Sequence, residues 1–354
     1  MLRHVGRKFR HAIRRRLEIS SRIHRSSVDP VPRGFGDLEI QENQGAFPKS
    51  DEIVCGSKTR GNGLWATERD GSAPVLAIQA LTGTKGRLAP LSEPAIEVAN
   101  LLASGNWDAS QAVSHVAYDA DLKAKLLAAT NSATTSAVTS IDGAVSRLGA
   151  ARVVALTVAD SLRDSFSRGS DEYGLSESQL WRHSIASALA VERMGNYLPQ
   201  APPPECQAAA LMHDLGHLVF AHTLPDDLQA LLGRETNVGW ANSRQIERDL
   251  VGTDHARVGG AIASHWKLAP VFVDAIEFHH APNQIHSAHH AHVAHVVGLA
   301  DMVAATIGES LGGREQNPVD EAGTMRKLSL SGEQFSRLSQ EVYDDLEDVL
   351  CWYS

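Results

Sequence analysis

The chain has 354 residues, of which 43% are hydrophobic, 21% charged and 5% aromatic, as in a soluble globular protein of one large or two modest domains. Its net charge of −9 is uneven, because ten basic residues and only two acidic ones lie within residues 1–33. Three widely separated cysteines argue against a disulfide framework and fit a reducing cytoplasm. The sequence also lacks the long apolar run of a transmembrane helix and the apolar core of a secretory signal.

Residues 1–25 have the pattern of a basic amphipathic helix. Apolar residues recur at steps of three and four, with arginines on the other faces; they are Leu2, Val5, Phe9, Ile13 and Leu17. Such an arm binds an anionic membrane surface or nucleic acid, or it is a solvated tail that aids solubility. The predicted location is the cytoplasm, peripheral to the inner membrane if the arm binds lipid.

Residues 26–87 are predicted to be a mostly irregular linker, rich in Gly, Ser, Pro and charge. From residue 88 to residue 350 the patterns are helical, and no alternating strand pattern is visible, so the body is predicted to be all-α. We expect one helical lobe over 88–170, a second over 171–308, and a closing helix over 331–350.

Helix boundaries can also be read from the sequence. Ser92 is a candidate N-cap, and helix breaks are expected near Tyr118–Asp121 and at Gly149. Further helical patterns cover 176–195, 204–219, 225–233, 238–250, 254–266, 270–280, 286–308 and 331–350.

Several ionisable residues interrupt the apolar patterns of the second lobe: His183, His213, Asp214, Asp254, His255, His279, His280 and Asp301. Each costs several kcal/mol to bury unless it is paired or bound to a cation. One such residue is usually a satisfied polar group of the core. Several on separate helices indicate that they converge on one point.

A metal ion would satisfy these groups together. We expect His183, His213, Asp214 and Asp301 to be ligands of a divalent metal, with His255, His279 and His280 at a second metal position or against a phosphate. Mixed imidazole and carboxylate ligands suit Mn, Fe, Ni, Zn or Mg. Open positions on such an ion would accept water or a small phosphorylated ligand.

The order H…HD…D resembles the HD superfamily of metal-dependent phosphohydrolases, and the fuller pattern resembles the HDOD family of HD-related output domains. The resemblance runs from about Leu88 to Leu350 and includes "LSEPAIEVANLL", "LMHDLGHLVF", "GTDHARVGGAIASHWKLAP", "AIEFHHAP" and "GLADMVA". It implies an all-helical fold and a regulatory role in bacterial signal transduction, exerted mainly through contacts with signalling proteins. Many members of the family are regarded as non-catalytic scaffolds.

The sequence departs from the relatives that cleave cyclic di-GMP. Those proteins carry a lysine where His217 stands, and a Gly-Tyr-Pro motif that is missing after His280. Cyclic di-GMP hydrolysis is therefore disfavoured. A metal-dependent phosphohydrolase or phosphodiesterase acting on a nucleotide-like substrate is the alternative function, and a nucleic-acid regulator that uses the basic arm is a third.

Other polar residues receive structural interpretations. Arg182 is expected to pair with a carboxylate of the other lobe rather than to clamp a phosphate, and Asn131 to cap a turn. Five further histidines are expected to be solvated or adventitious metal binders: His286, His289, His290, His292 and His295.

Overall fold

The computed structural model describes residues 91–107, 109–116, 120–132, 137–166, 177–223, 243–309 and 318–350. Helices, turns and irregular segments make up these ranges, and none of the described residues forms a strand. The predicted all-α body is thereby confirmed. The predicted arm (1–25), the predicted linker (26–87) and the predicted helix over 225–233 lie outside the described residues.

The first part of the body comprises α1 (Glu93–Ala103), α2 (Ala109–Val116), α3 (Ala120–Ser132), α4 (Ile141–Leu148) and α5 (Ala150–Phe166). The side chain of Ser92 accepts a hydrogen bond from the backbone N–H of Ala95, which makes it the predicted N-cap of α1. Gly149 separates α4 from α5 with a φ of 79°, a conformation that favours glycine. Helix α5 packs on α1 and α4 and also contacts α6 and α7 of the next part.

The second part comprises α6 (Glu177–Met194), α7 (Cys206–Met212), α8 (Leu215–Thr223), α9 (Ser243–Val251), α10 (His255–His265), α11 (Pro270–Phe278) and α12 (Ala288–Ile307). Two helices follow, α13 (Pro318–Lys327) and α14 (Gly332–Leu350). All seven residues of α7 are buried, because α5, α6, α11 and α12 surround it. Helix α7 is therefore at the centre of the core.

Helix α12 is long and apolar enough to cross a membrane by length and composition alone. However, 61% of its most apolar window is buried within the protein, where it packs on α6, α7, α11 and α14. Its apolar residues are those of a core helix that is surrounded by other helices.

The closing helix lies where the sequence places it. Phe335, Leu338, Val342 and Leu346 of α14 are buried at steps of three and four, and the helix packs on α6 and α12. Helix α13 was not predicted from the sequence. The predicted division into lobes near residue 170 falls outside the described residues and stays a prediction.

The helix predicted over 204–219 is interrupted at the residues that form the candidate site. The single helix predicted over 204–219 is two helices, α7 and α8, separated by His213 and Asp214. Because the residues on both sides of the pair are apolar and buried, the hydrophobic pattern carries no sign of this break.

Candidate metal centre

The His213–Asp214 pair lies in the break between α7 and α8, deep in the core. Nδ1 of His213 donates to the backbone carbonyl of Ala210 over 2.7 Å, which fixes the ring at the end of α7. A Cβ at Gly216 would lie 2.0 Å from the carbonyl oxygen of His255. Glycine at position 216 therefore allows the first turn of α8 to approach the start of α10 and brings the two histidine-bearing segments together.

Asp214 stands between two groups of histidines. Its Oδ2 atom lies 3.2 Å from Nε2 of His183 and 3.2 Å from Nε2 of His213. Its Oδ1 atom lies 3.5 Å from Nε2 of His255 and 3.9 Å from Nε2 of His279. We call these two groups the Oδ2 side and the Oδ1 side. One buried carboxylate thus connects both halves of the cluster.

The Oδ2 side is made by His183, His213 and Asp301. Oδ1 of Asp301 lies 3.3 Å from Nε2 of His183 and 3.9 Å from Nε2 of His213. The two Nε2 atoms lie 3.1 Å apart, while Nδ1 of His183 donates to the carbonyl of Glu309 and Nδ1 of His213 to that of Ala210. Since a carbonyl only accepts, neutral rings would leave two lone pairs facing each other, an arrangement that requires a shared cation.

The Oδ1 side is made by His255, His279 and His280. Nε2 of His255 lies 3.0 Å from Nε2 of His280, and Nδ1 of His255 contacts the Glu247 carboxylate at 2.8 Å. Nδ1 of His279 donates to the carbonyl of Ile276 over 2.7 Å. Nε2 of His279 is buried and has no hydrogen-bond partner among the described residues. That orphaned lone pair points to a ligand of cationic character.

The carboxylates control protonation of two imidazoles. Burial opposes the charged form of His183, but Asp214 and Asp301 outweigh it and raise its pKa to about 10. Burial likewise opposes the charge on His255, and Glu247 with Asp214 raises its pKa to about 10. Burial also disfavours ionised Asp214, yet His213 and His183 lower its pKa well below the ordinary value. Without a metal, protons on His183 and His255 thus supply the positive charge.

Three further imidazoles, those of His217, His279 and His280, are neutral at physiological pH. Burial and the neighbouring His213 lower the pKa of His279 to about 3. Burial and His255 lower that of His217 to about 4, and burial with His279 lowers that of His280. Neutral imidazoles are the form that binds metals.

The structure brings together every residue that the sequence nominates as a ligand. They come from α6, the break between α7 and α8, the start of α10, the end of α11, and α12: His183, His213, Asp214, His255, His279, His280 and Asp301. Asp254 is not part of the cluster, because it caps α10 and pairs with Arg244 and Arg248. Buried His and Asp groups of this kind are typical of an HD-type metal site. That they bind a metal stays a prediction.

The donor set fits a divalent cation. The donor atoms form four overlapping groups, and within each group they lie no more than 4.8 Å apart. Two of these groups are His183–His213–Asp214 and His255–His279–His280. Imidazole nitrogens and carboxylate oxygens, without thiolate, suit first-row divalent ions. Such an ion would satisfy both the facing lone pairs on the Oδ2 side and the orphaned Nε2 of His279.

Two contributors were missed from the sequence. Glu247 is fully buried and accepts hydrogen bonds from both the backbone N–H and the ring of His255. The sequence could have indicated that Glu247 is buried, because it lies four residues before the buried Val251 and therefore on the apolar face of α9. Glu309 acts through its backbone carbonyl, which no side-chain pattern reveals.

Arg182 forms ion pairs, as expected, but with different partners. It contacts the carboxylate of Glu309, just after α12, at 2.8 Å and that of Glu347 on α14 at 2.7 Å. Both partners lie beyond residues 171–308, the predicted second lobe, and neither lies within 88–170, the predicted first lobe. The side-chain amide of Asn131 donates to the backbone carbonyl of Val138 and accepts from its backbone N–H. These hydrogen bonds link the end of α3 to Val138, in keeping with the predicted turn cap.

The five histidines near the start of α12 differ in environment: His286, His289, His290, His292 and His295. His289 contacts Glu205 and His290 contacts Asp274, both through ring nitrogens. His295 is buried beside Thr324 of α13, so the prediction that it is solvated is wrong. The unpredicted helix α13 covers it.

Comparisons with known proteins identify the family of the chain. The sequence model of the HDOD domain matches residues 88–282, more than half of the chain. The chain belongs to the HDOD domain family. The comparison with curated proteins gives no match.

Solved HDOD-like structures share the fold. An HDOD domain protein of unknown function from Geobacter sulfurreducens is 20% identical with a TM-score of 0.63, over 80% of this chain and 97% of that one. A candidate phosphohydrolase from Shewanella amazonensis is 18% identical with a TM-score of 0.61, over 81% and 100%. A candidate signal transduction protein from Marinobacter aquaeolei is 21% identical with a TM-score of 0.62, over 80% and 64%. These similarities establish the all-helical HDOD fold.

Proposed function

We propose that this HDOD protein is a cytoplasmic bacterial signal-transduction protein that acts mainly through protein contacts and holds a divalent metal in the cluster around Asp214. The family membership and the name of the Marinobacter relative support the signalling role. The ligands of the metal would be His183, His213, Asp214 and Asp301, with His255, His279 and His280 at a second position.

The observation that carries the proposal is a chain of contacts from the cluster to the closing helix. Nδ1 of His183 donates to the carbonyl of Glu309 over 2.5 Å. Arg182, the preceding residue, binds the carboxylate of Glu309 at 2.8 Å and that of Glu347 at 2.7 Å. The side chain of Glu347 is 74% exposed. The ring position of a nominated ligand is thus linked to the solvent-facing side of α14.

This linkage gives the cluster a regulatory use that needs no turnover. A ligand that prefers one arrangement of His183 also favours one arrangement of Glu309 and Arg182. By reciprocity, a protein that binds α14 alters the affinity of the cluster for its metal. The surface of α14 would then differ between the loaded and unloaded protein, which a signalling partner can distinguish.

Partner capture from cells tests the proposal. Wild type, Asp214→Asn and His289→Ala would be cross-linked in the native host, and the captured proteins identified by mass spectrometry. His289 contacts Glu205 and is not a member of the cluster, so that variant controls for a substitution elsewhere in the protein. We expect the same specific protein with wild type and His289→Ala and its loss with Asp214→Asn. Identical capture by all three variants would contradict a role for the cluster in signalling.

A metal-dependent phosphohydrolase or phosphodiesterase is the second candidate function, and one observation favours it. The side chain of Asp301 is 22% exposed, whereas those of His183, His213 and Asp214 are at most 7% exposed. The cluster therefore opens to solvent at Asp301. A bound divalent ion lowers the pKa of water and orients a phosphate. The Shewanella relative carries a phosphohydrolase name.

A substrate screen separates the two candidates. Metal-loaded wild type and Asp214→Asn would be assayed against nucleotides and nucleotide-like phosphodiesters, including cyclic di-GMP. The signalling proposal expects no hydrolysis above that of the variant, and none of cyclic di-GMP. Hydrolysis of one substrate by wild type alone would favour the enzymatic function.

The basic arm, residues 1–25, is proposed to bind an anionic membrane surface and hold the protein at the inner membrane. Each Lys or Arg near such a surface contributes about 1 kcal/mol. Deletion of the arm should abolish sedimentation with anionic vesicles at low salt and leave the melting temperature of the body unchanged. Absence of sedimentation by the full chain, or preferential binding of nucleic acid, would contradict the membrane proposal.

A further inference from the structure

His217 adds a fourth imidazole to the Oδ1 side. It lies on α8, one turn after Asp214, and its side chain is only 7% exposed. Its ring stacks on that of His255, with 4.3 Å between centroids and 18° between planes. Nε2 of His217 lies 4.0 Å from Oδ1 of Asp214. Asp214, His217 and His255 alone form a group of donor atoms within 4.8 Å of one another.

We propose that His217 is a metal ligand and that the Oδ1 side is an imidazole-rich position selective for a nitrogen-preferring ion such as Zn²⁺ over Mg²⁺ or Mn²⁺. The proposal rests on the metal-holding cluster of the proposed function and adds both a ligand and a metal class. Its donors would be one oxygen of Asp214 with the rings of His217 and His255, which form one group of donor atoms, together with the rings of His279 and His280, which form a second group with His255.

The spacing of the donors agrees with this position. Ligands about 2.1 Å from one ion lie no more than about 4.2 Å apart. Nε2 of His255 is 3.0 Å from Nε2 of His280, and Oδ1 of Asp214 is 3.5 Å from Nε2 of His255. The same oxygen lies 3.9 Å from Nε2 of His279 and 4.0 Å from Nε2 of His217. These four separations fall within that limit, and His217 with Asp214 and His255 forms one donor group that shares His255 with the group of His279 and His280.

The two sides of Asp214 differ in chemistry. The Oδ2 side offers two imidazoles, His183 and His213, and carboxylate oxygens from Asp214 and Asp301. The Oδ1 side offers one carboxylate oxygen and four imidazoles. Imidazole suits Zn, Cu, Fe and Ni, whereas carboxylates and water suit Mg, Ca and Mn. Selectivity for the nitrogen-preferring ions therefore belongs to the Oδ1 side.

The stacking of His217 on His255 predicts that the His217 ring rotates when it binds the metal. Two parallel rings do not aim their lone pairs at one point, so ligation requires the His217 ring to turn out of its stack. The environment of the His217 ring would therefore change when the ion binds. X-ray absorption at the zinc edge counts imidazole ligands and reports this change directly.

The test uses the full chain, stripped with a chelator and then dialysed against equal concentrations of Zn²⁺ and Mn²⁺. Metal content would be measured for wild type, His217→Ala, His217→Gln and His292→Ala. His292 is a half-buried imidazole outside the cluster and serves as the control. Circular dichroism would verify that each variant is folded.

We expect wild type and His292→Ala to retain Zn²⁺ at the Oδ1 side, with one more imidazole per ion at that position than in the His217 variants. Zinc affinity should fall more than about tenfold in His217→Ala and His217→Gln, with no change at the Oδ2 side. Unchanged zinc affinity and imidazole count in both variants would overturn the role of His217. Equal occupancy of the Oδ1 side by Mn²⁺ would overturn the selectivity. A wild-type chain that binds no ion at either side would instead contradict the metal-holding cluster itself.

Discussion

Nε2 of His183 and Nε2 of His213 lie 3.1 Å apart, and the opposite nitrogen of each ring donates to a backbone carbonyl. Two neutral rings held in this way direct lone pairs at each other. A proton relieves the conflict in the metal-free protein, which agrees with the raised pKa of His183. A bound metal ion would also relieve it, so proton and metal would compete for the same place.

Metal binding should therefore release protons at pH 8. His183 and His255 each have a pKa of about 10, so both are protonated at this pH before the metal binds. Each must lose its proton to act as a ligand, and apparent affinity should rise with pH until about pH 10. Titration calorimetry in buffers of different ionisation enthalpy measures the number released. Full loading of both sides without proton release would contradict the protonation states inferred for these two rings.

Glu247 should be a positioning residue for His255. Glu247→Gln would weaken the contact to Nδ1 of His255 and leave a poorly satisfied buried group, at a cost of about 1–3 kcal/mol in unfolding free energy. Metal affinity at the Oδ1 side should fall about 10–100-fold, because the partner that orients a ligand ring is changed. Chemical denaturation and metal titration measure the two effects.

The matched control is Asp249→Asn, since Asp249 is an exposed carboxylate on the same helix, α9. That variant should change stability by no more than about 0.5 kcal/mol and leave metal affinity intact. Equal effects of the two substitutions would show that α9, rather than the Glu247–His255 contact, sets the affinity.

Two variants distinguish a specific link between the cluster and α14 from a general contribution of α14 packing to metal affinity. Among the described side chains, two ion pairs join α6 to α14: Arg182 with Glu347, and Arg193 with Asp345 at 2.6 Å. Only Arg182 also binds Glu309, the residue whose carbonyl holds His183. Arg182→Gln and Arg193→Gln should both increase hydrogen exchange in residues 332–350, but only Arg182→Gln should reduce metal affinity. A similar reduction by both would indicate a general loosening of α14.

Gly216 should tolerate no side chain. A Cβ there would lie 2.0 Å from the carbonyl oxygen of His255, so Gly216→Ala forces α8 and α10 apart, at a cost of about 1–3 kcal/mol or more. At Gly323 in α13, a Cβ would meet no described atom within 4 Å, and Gly323→Ala should stabilise by up to about 1 kcal/mol. Melting temperatures of the two variants test this. A Gly216→Ala protein as stable as wild type would refute the close approach.

The sequence predicts those features that depend on local pattern. Ser92 as an N-cap, the break at Gly149 and the closing helix all follow from periodicity and capping chemistry. The convergence of the ligand residues follows from the cost of burying isolated charges, a constraint that holds whatever the helix packing.

What the sequence does not predict depends on tertiary contacts. The break at His213–Asp214 lies inside continuous apolar sequence, so no change of pattern marks it. His295 is buried only because α13 packs against that face of α12. The partners of Arg182 lie more than a hundred residues away, at the end of α12 and on α14, and no local rule selects them.

The central claim is that the cluster around Asp214 holds a divalent metal, and metal content of purified protein tests it most directly. Wild type and His289→Ala should retain the metal through dialysis, whereas His213→Ala and Asp214→Ala should lose it, since these residues are at the core of the cluster and His289 is outside it. Circular dichroism would confirm that all four proteins are folded. Equal metal content in the four proteins would contradict the account and show that the cluster is buried polar packing.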